Sequence, residues 1–343
     1  MPQPVSLLSP ANPIQLTTKV CRFWGSFCLW SAFFLICFGL GYPTLNRYDE
    51  RKALPDAARY AKLATDGPAV VDGNFRFRVL VPLLAKQVYR LAAGHAGGWD
   101  ALAFAFLIVN SVFVATTAYL LFAIGVEHLV SRSTALLGAA LYLLNFAVAN
   151  AQLAGLVDAG EACFLMAVVA SMFYRRWATL PIIGVFGAIT KESFIPFSIA
   201  MAATWWIVSR NRTERARSAP WWLVAMIVSE IVSITLLHFA ISERTGGLWN
   251  FALSLNSNSN YSANLLRSLV DRSSWYILIW LLPLGLMRIR QFRREWVWAA
   301  IAGTSTALVL NAYHSTVGGG GGGIDVTFSM SRARCSVFRR QLS

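Results

Sequence analysis

Residues 23–42 read FWGSFCLWSAFFLICFGLGY, twenty positions without a single charge. A bilayer core of about 30 Å needs roughly 20 apolar residues in helical form. The stretch therefore predicts a membrane-spanning helix. It is too long and too aromatic for a signal-peptide core, and no small-residue cleavage site follows it. Working outward, further apolar runs fall at 101–124, 134–151, 157–174, 178–190, 194–209, 220–242, 274–287 and 296–313. Nine runs predict an all-α, polytopic transmembrane bundle, several of its helices short in the manner of broken or tilted spans. Composition agrees. The 343 residues are 56% hydrophobic and 13% charged, with a mean hydropathy of +0.53, whereas a soluble domain carries about 25% charged residues. These figures exclude a single water-soluble domain and a disordered chain. Five cysteines are also too few for a disulfide scaffold.

Thirty basic and 16 acidic residues give a net charge of +14. In a soluble protein that excess would suggest nucleic acid. In a membrane protein the placement of the charges decides, because cytoplasmic loops collect Lys and Arg, and no nucleic-acid partner is expected here. With the N-terminus inside, the cytoplasmic segments hold 13 basic residues, from Lys19 and Arg22 through Arg132, Arg175, Arg176 and the clusters at 210–217 and 288–294. The short outer connections hold four: Lys191, Arg244, Arg267 and Arg272. Acidic residues distribute the other way, with Asp49, Glu50, Asp56, Asp66, Asp72, Asp100, Asp158, Glu161, Glu192, Glu243 and Asp271 outside against Glu127, Glu214 and Glu295 inside. Carboxylate chemistry is therefore expected on the outer, extracytoplasmic face.

The expected organisation is a cytoplasmic segment at 1–22, a transmembrane domain at 23–313 and a basic tail at 314–343. The one long hydrophilic stretch is the outer loop at 43–100. Loops of that length are functional or disordered, and amphipathic patterning argues for order. In FRFRVLVPLLAKQVYRLAAG (75–94), Val79, Leu80, Leu83, Leu84, Val88 and Leu91 recur at helical spacing while Lys86, Gln87 and Arg90 lie off that face. This predicts an interfacial helix begun by Phe75-Arg76-Phe77-Arg78.

Four groups of residues are candidates for chemistry. Asp49 and Glu50 form an adjacent pair just beyond the first span, suited to a general base or a metal ligand; the alternative is two solvated loop charges. Arg76 and Arg78 set two guanidiniums among aromatics, a pattern that matches phosphate oxygens or anchors the chain to anionic lipid. Asp158 and Glu161, three apart, share a helix face and could bind substrate or simply complement the helix dipole. Lys191 and Glu192 lie between two short runs, where charges beside lipid require a partner or an aqueous pocket. Glu230 is the one carboxylate deep in a run. The four histidines are dispersed and no CxxC occurs, so no zinc site is expected.

The Asp49-Glu50 pair after the first span, the long outer loop, the FRFRVLVPLLA stretch and the outer Thr190-Lys191-Glu192 together resemble the GT-C glycosyltransferase superfamily, over about residues 20–313. Members are integral membrane enzymes that use sugars carried on polyprenyl phosphates, among them protein mannosyltransferases, oligosaccharyltransferases and lipid A aminoarabinose transferases. The resemblance implies a polyprenyl-phosphate sugar donor, membrane lipids as surroundings and an acidic residue of the first outer loop as base or metal ligand. That role maps onto Asp49 and Glu50, with a divalent cation as an open option. Arg76, Arg78, Asp158, Glu161, Lys191 and Glu192 are then expected to bind substrate. Sugar, acceptor and oligomeric state have no signal in the residues. The alternative expectation is a transporter or lipid-handling protein without covalent chemistry. A transporter would carry internal repeats and discontinuous spans in both halves, and neither is visible.

The tail departs from the family pattern. After Gly318 to Gly323 the chain turns basic with no span to follow. Two readings stand: a Gly-rich tail, or a frame change in a slippage-prone glycine-coding run, since a freely back-translated second frame reads as an apolar stretch suited to a tenth span.

Overall fold

A computed structural model describes residues 13–46, 55–71, 73–129, 131–210, 219–242, 265–266 and 293–317. Asp49, Glu50, the expected span at 274–287 and the tail from 318 lie outside the described residues. Among those described, every regular element is helical: α1 (Pro13–Asn46), α2 (Pro55–Asp66), α3 (Leu80–Ala92), α4 (Ala101–Leu129), α5 (Arg132–Leu143), α6 (Asp158–Phe173), α7 (Leu180–Thr190), α8 (Phe194–Ser209), α9 (Ala219–Ser242) and α10 (Arg294–Val317). Three contain stretches long and apolar enough to cross a membrane: Trp24–Pro43, Ala101–His128 and Pro220–Ile241. Trp177–Thr190 and Phe194–Ser209 are shorter apolar helices. The fold is that of an all-helical membrane protein.

Local chemistry sets several helix ends. Asp100 caps α4, its Oδ1 accepting from the backbone N–H groups of Leu102 and Ala103 at 2.8 Å each. Ser131 caps α5 by accepting from the Thr134 N–H at 3.3 Å. The apolar run at 134–151 is not one helix. Asn145 accepts from the Ala147 N–H at 2.8 Å, a local bond that competes with the helical ladder. α5 accordingly stops at Leu143, and the chain re-forms as a π turn at Val148–Gln152. The FRFR stretch also differs from expectation, because residues 73–77 form a 3₁₀ turn and α3 starts only at Leu80.

The buried face of α3 is not the expected stripe: Leu80 alone of that stripe is buried, together with Val81 and Ala85 outside it, while Leu83, Leu84 and Leu91 of the stripe are exposed. A helix lying on a bundle at a lipid boundary has apolar partners on both sides, so it needs no polar outer face there.

α4 is the central helix, packed by α1, α3, α5 and α6, while α7 lies along α9 and α8 along α10. One apolar core joins α1 to α6, and a second, around Met172, Leu180, Phe194, Trp205 and Met226, joins α6 to α10. Large apolar side chains point outward from α5 (Leu136, Leu137) and α9 (Trp221, Val228, Ile231, Val232, Leu236). Such a surface is unfavourable in water and natural in lipid. Small residues permit close helix approach: a Cβ on Gly184 of α7 would lie 3.0 Å from Met226 Cγ and from Ser229 Oγ of α9. The two ends of the bundle differ. Trp177, Trp205 and Trp296 cluster at one end, with ring centres 5.3 and 5.9 Å apart. Arg293 pairs with Glu295 at that same end, and a larger group of ion pairs gathers at the other.

Candidate functional site

The charged end is assembled from α2, the turn at 73–77 with its link to α3, the start of α6 and the α7–α8 connection. Gly160 makes that assembly possible. A Cβ there would lie 2.8 Å from Thr190 Cγ2 and 3.0 Å from Val81 Cγ2, so the first turn of α6 sits directly against the end of α7 and the start of α3. Asp158 and Glu161, flanking this glycine, thereby face Lys191.

Two ion-pair groups result. Arg78 grips Glu192 bidentately, donating from Nε to Oε2 at 2.9 Å and from Nη2 to Oε1. Its Nη1 donates to the Tyr60 hydroxyl oxygen at 2.8 Å. The partners are 114 positions apart in the chain. Lys191 Nζ lies 2.6 Å from Asp158 Oδ1 and 2.9 Å from Glu161 Oε2, and the Ser193 hydroxyl donates to Glu161 Oε1. Asp158 is the open member of this group, with 34% of its side chain exposed against 10% for Lys191 and for Glu161. At the rim, Arg59 pairs with Asp56 at 3.2 Å. Arg59 and Arg78 both lie over the Phe75 ring, 4.5 and 4.7 Å from its centre.

Electrostatics follow the pairing. Burial alone would raise the Glu192 carboxyl, but Arg78, the hydrogen bonds to the carboxylate and nearby Lys191 together hold it below the usual glutamate range. Burial likewise opposes charge on Lys191, yet Asp158 and Glu161 together keep the ammonium protonated well above the ordinary lysine range. Burial also weighs against Arg78, and Glu192 and Tyr60 together reverse it. Burial pushes the Tyr60 phenol up to about 12, so it keeps its proton at neutral pH. Asp56 is raised by burial, with Arg59 pulling the other way.

Of the residues singled out in the sequence, the structure brings together Arg78, Asp158, Glu161, Lys191 and Glu192. Arg78 and Lys191 are held by carboxylates. Arg76 stands apart from both networks: it touches the Phe77 ring, 4.8 Å from its centre, and its buried Nε has no hydrogen-bond partner. Glu230 lies elsewhere, bonded to Ser198 of α8 at 2.8 Å. Tyr60, Ser193 and His238 were not anticipated. Tyr60 had a signal, since Ala57, Tyr60, Leu63 and Ala64 form the buried stripe of α2 at helical spacing. His238 had none, because only the fold sets the end of α9 on Phe77.

Among the described residues no group of three or more His, Cys, Asp or Glu side chains is arranged to hold a metal ion. Asp158 and Glu161 instead share the ammonium of Lys191. Chemically, the end of the bundle offers an accessible carboxylate, an unpaired guanidinium and a rigid ion-paired floor. Comparison of the chain with models of protein families, with curated proteins and with solved structures returns no match.

Proposed function

We propose that this protein is an extracytoplasmic glycosyltransferase of GT-C type, with nine spans, a cytoplasmic N-terminus and its charged end outside. The observation that carries the reading is the convergence of four segments, distant in sequence, on one polar floor at one end of an apolar bundle. That is the place where a lipid-borne phosphate and a water-side acceptor can meet. Thirteen inner basic residues against four in the short outer connections support the orientation, the long first outer loop being set aside because long loops translocate largely regardless of charge.

In this reading Asp49, with Glu50 beside it, accepts the proton of the acceptor hydroxyl. The acceptor oxygen forms a bond to the anomeric carbon, the bond from that carbon to the phosphate oxygen breaks, and polyprenyl phosphate leaves with the electron pair. Arg76 offers charge to the departing phosphate. Arg78 and Lys191 act by position: each fixes carboxylates and is itself neutralised by them. Asp158 is the second carboxylate open to substrate, and a divalent cation remains compatible with the outer loop pair.

The test is mass spectrometry of lipid-linked and surface glycans from cells with and without the protein. Loss of one sugar from the set, with accumulation of its lipid-linked donor, is the expected result. Identical glycans would favour a non-enzymatic transport or lipid-handling role.

A further inference from the structure

Glu230 stands near the middle of the apolar stretch Pro220–Ile241 of α9 and is fully buried. α7 and α8 close over it. A Cβ on Gly184 of α7 would lie 3.1 Å from Glu230 Cγ, and Ser198 of α8 sets its hydroxyl oxygen 2.8 Å from Glu230 Oε1. Glu230 Oε2 has no hydrogen-bond partner. Neither α7 nor α8 contains an Asp, Glu, His, Lys, Arg, Cys or Tyr. The turn Trp177–Thr179, which also packs on α9, has none either, and the turn at 73–77 brings only Arg76. α9 itself adds His238, which is two turns and about 12 Å farther along the helix and shares the Phe77 ring with Arg76. Among the described residues no cation pairs with Glu230.

An ionised carboxylate in that place would have one hydroxyl in exchange for its whole hydration shell. An isolated buried charge of this kind takes up a proton and becomes neutral instead. The bonding around Ser198 agrees. Its Oγ lies 2.8 Å from Glu230 Oε1 and 2.9 Å from the Ile195 carbonyl oxygen, yet a hydroxyl has one hydrogen to donate. With a proton on Glu230 both contacts become hydrogen bonds: the acid O–H donates to Ser198 Oγ, and Ser198 donates to the Ile195 carbonyl. Oε2 is then the carbonyl oxygen of a neutral acid, far cheaper to bury than a charge. We propose that Glu230 is a proton-binding site inside the membrane, occupied at neutral pH, and that its proton joins α9 to α8. The site is separate from the charged end and does not rest on the glycosyltransferase reading. Because α8 follows directly on Lys191, Glu192 and Ser193, the same proton secures the helix that leads away from the polar floor.

Infrared spectroscopy reads this proton directly, since a neutral acid has a C=O stretching band that carboxylates lack. The full chain is measured in liposomes at neutral pH, parent protein against Glu230→Gln and Ser198→Ala. Glu230→Gln keeps the shape, and its amide can donate to Ser198 in place of the acid O–H. This variant should lose one acid band while the carboxylate bands stay unchanged. Ser198→Ala removes the acceptor of the acid proton, so the same band should persist and move to higher frequency. Should Glu230→Gln fail to fold, glutamate isotopically labelled at its carboxyl carbon identifies the band, and Ser198→Ala alone then decides. Loss of carboxylate bands in Glu230→Gln, the absence of any glutamic acid band from the parent protein, or an acid band that Ser198→Ala leaves in place would each overturn the proposal.

Discussion

Arg78 and Glu192 are each only about one-seventh exposed, 15% and 13% of their side chains. Removing one partner of such a pair leaves the other charge buried and alone, which typically costs about 3–5 kcal/mol, while replacing both by apolar groups is often close to neutral. Arg78→Met and Glu192→Leu should therefore each lower stability strongly and the double variant much less. A double-mutant cycle on thermal unfolding in detergent checks this; additive losses would dissolve the pair. The acid limb follows from the same contact. Glu192 is held below its ordinary range, so its stabilisation is complete above the unfolded carboxylate value and is lost as pH falls through the depressed folded value. Lys191 works in the opposite sense: its contribution is present below the ordinary lysine range and is lost as pH rises through the raised value. Unfolding temperature against pH should show a plateau between these limbs, and Glu192→Gln should shrink the acid limb. At this scale the residue types were legible, since charges beside apolar runs demand partners. The partners were not: nothing in spacing joins Arg78 to a glutamate 114 positions away.

Helix ends and crossings decide where those residues stand. Gly160 is one such close approach in the site, and a larger side chain there must push Thr190 or Val81 aside. Gly160→Leu should cost about 1–3 kcal/mol of stability and loosen the contact of Asp158 with Lys191. Thermal unfolding, read beside the same measurement on Lys191→Met, tests whether the two losses overlap. Glu230 ties α9 to α8 through Ser198, and its second carboxyl oxygen has no hydrogen-bond partner. A hydrogen bond between helices in a membrane averages about 0.6 kcal/mol, so Glu230→Gln should shift stability by no more than about 1 kcal/mol, whereas Glu230→Lys, placing a cation in an apolar crossing, should impair assembly. Folding yield in detergent separates the two. Element identity was readable from apolar runs because burial in lipid needs nothing but length and composition. Boundaries were not, because they depend on single side-chain bonds. Asn145 ends α5 inside an apolar run, and the FRFR stretch forms a turn where periodicity alone extended the helix.

Among the described residues, a tryptophan cluster with the Arg293–Glu295 pair beside it marks one end, and the larger group of ion pairs marks the other. Aromatic and charged side chains are what both membrane surfaces select. The inside-outside assignment rests on the basic residues. A cysteine introduced near Arg215 should resist a membrane-impermeant thiol reagent in intact cells, and one near Asp66 should react; the reverse labelling pattern would invert the outer-face assignment. The polar floor acquires a catalytic meaning only if a carboxylate at its mouth moves a proton. The direct measurement is sugar transfer from a polyprenyl-phosphate donor by the full chain in liposomes, parent protein against Asp49→Asn, Glu50→Gln and the double variant. A general base contributes about 10² to 10⁴ in rate, so Asp49→Asn, or the double variant if Glu50 shares the role, should lose activity by that order with insertion unchanged. Transfer at the parental rate by a correctly inserted double variant would contradict the account.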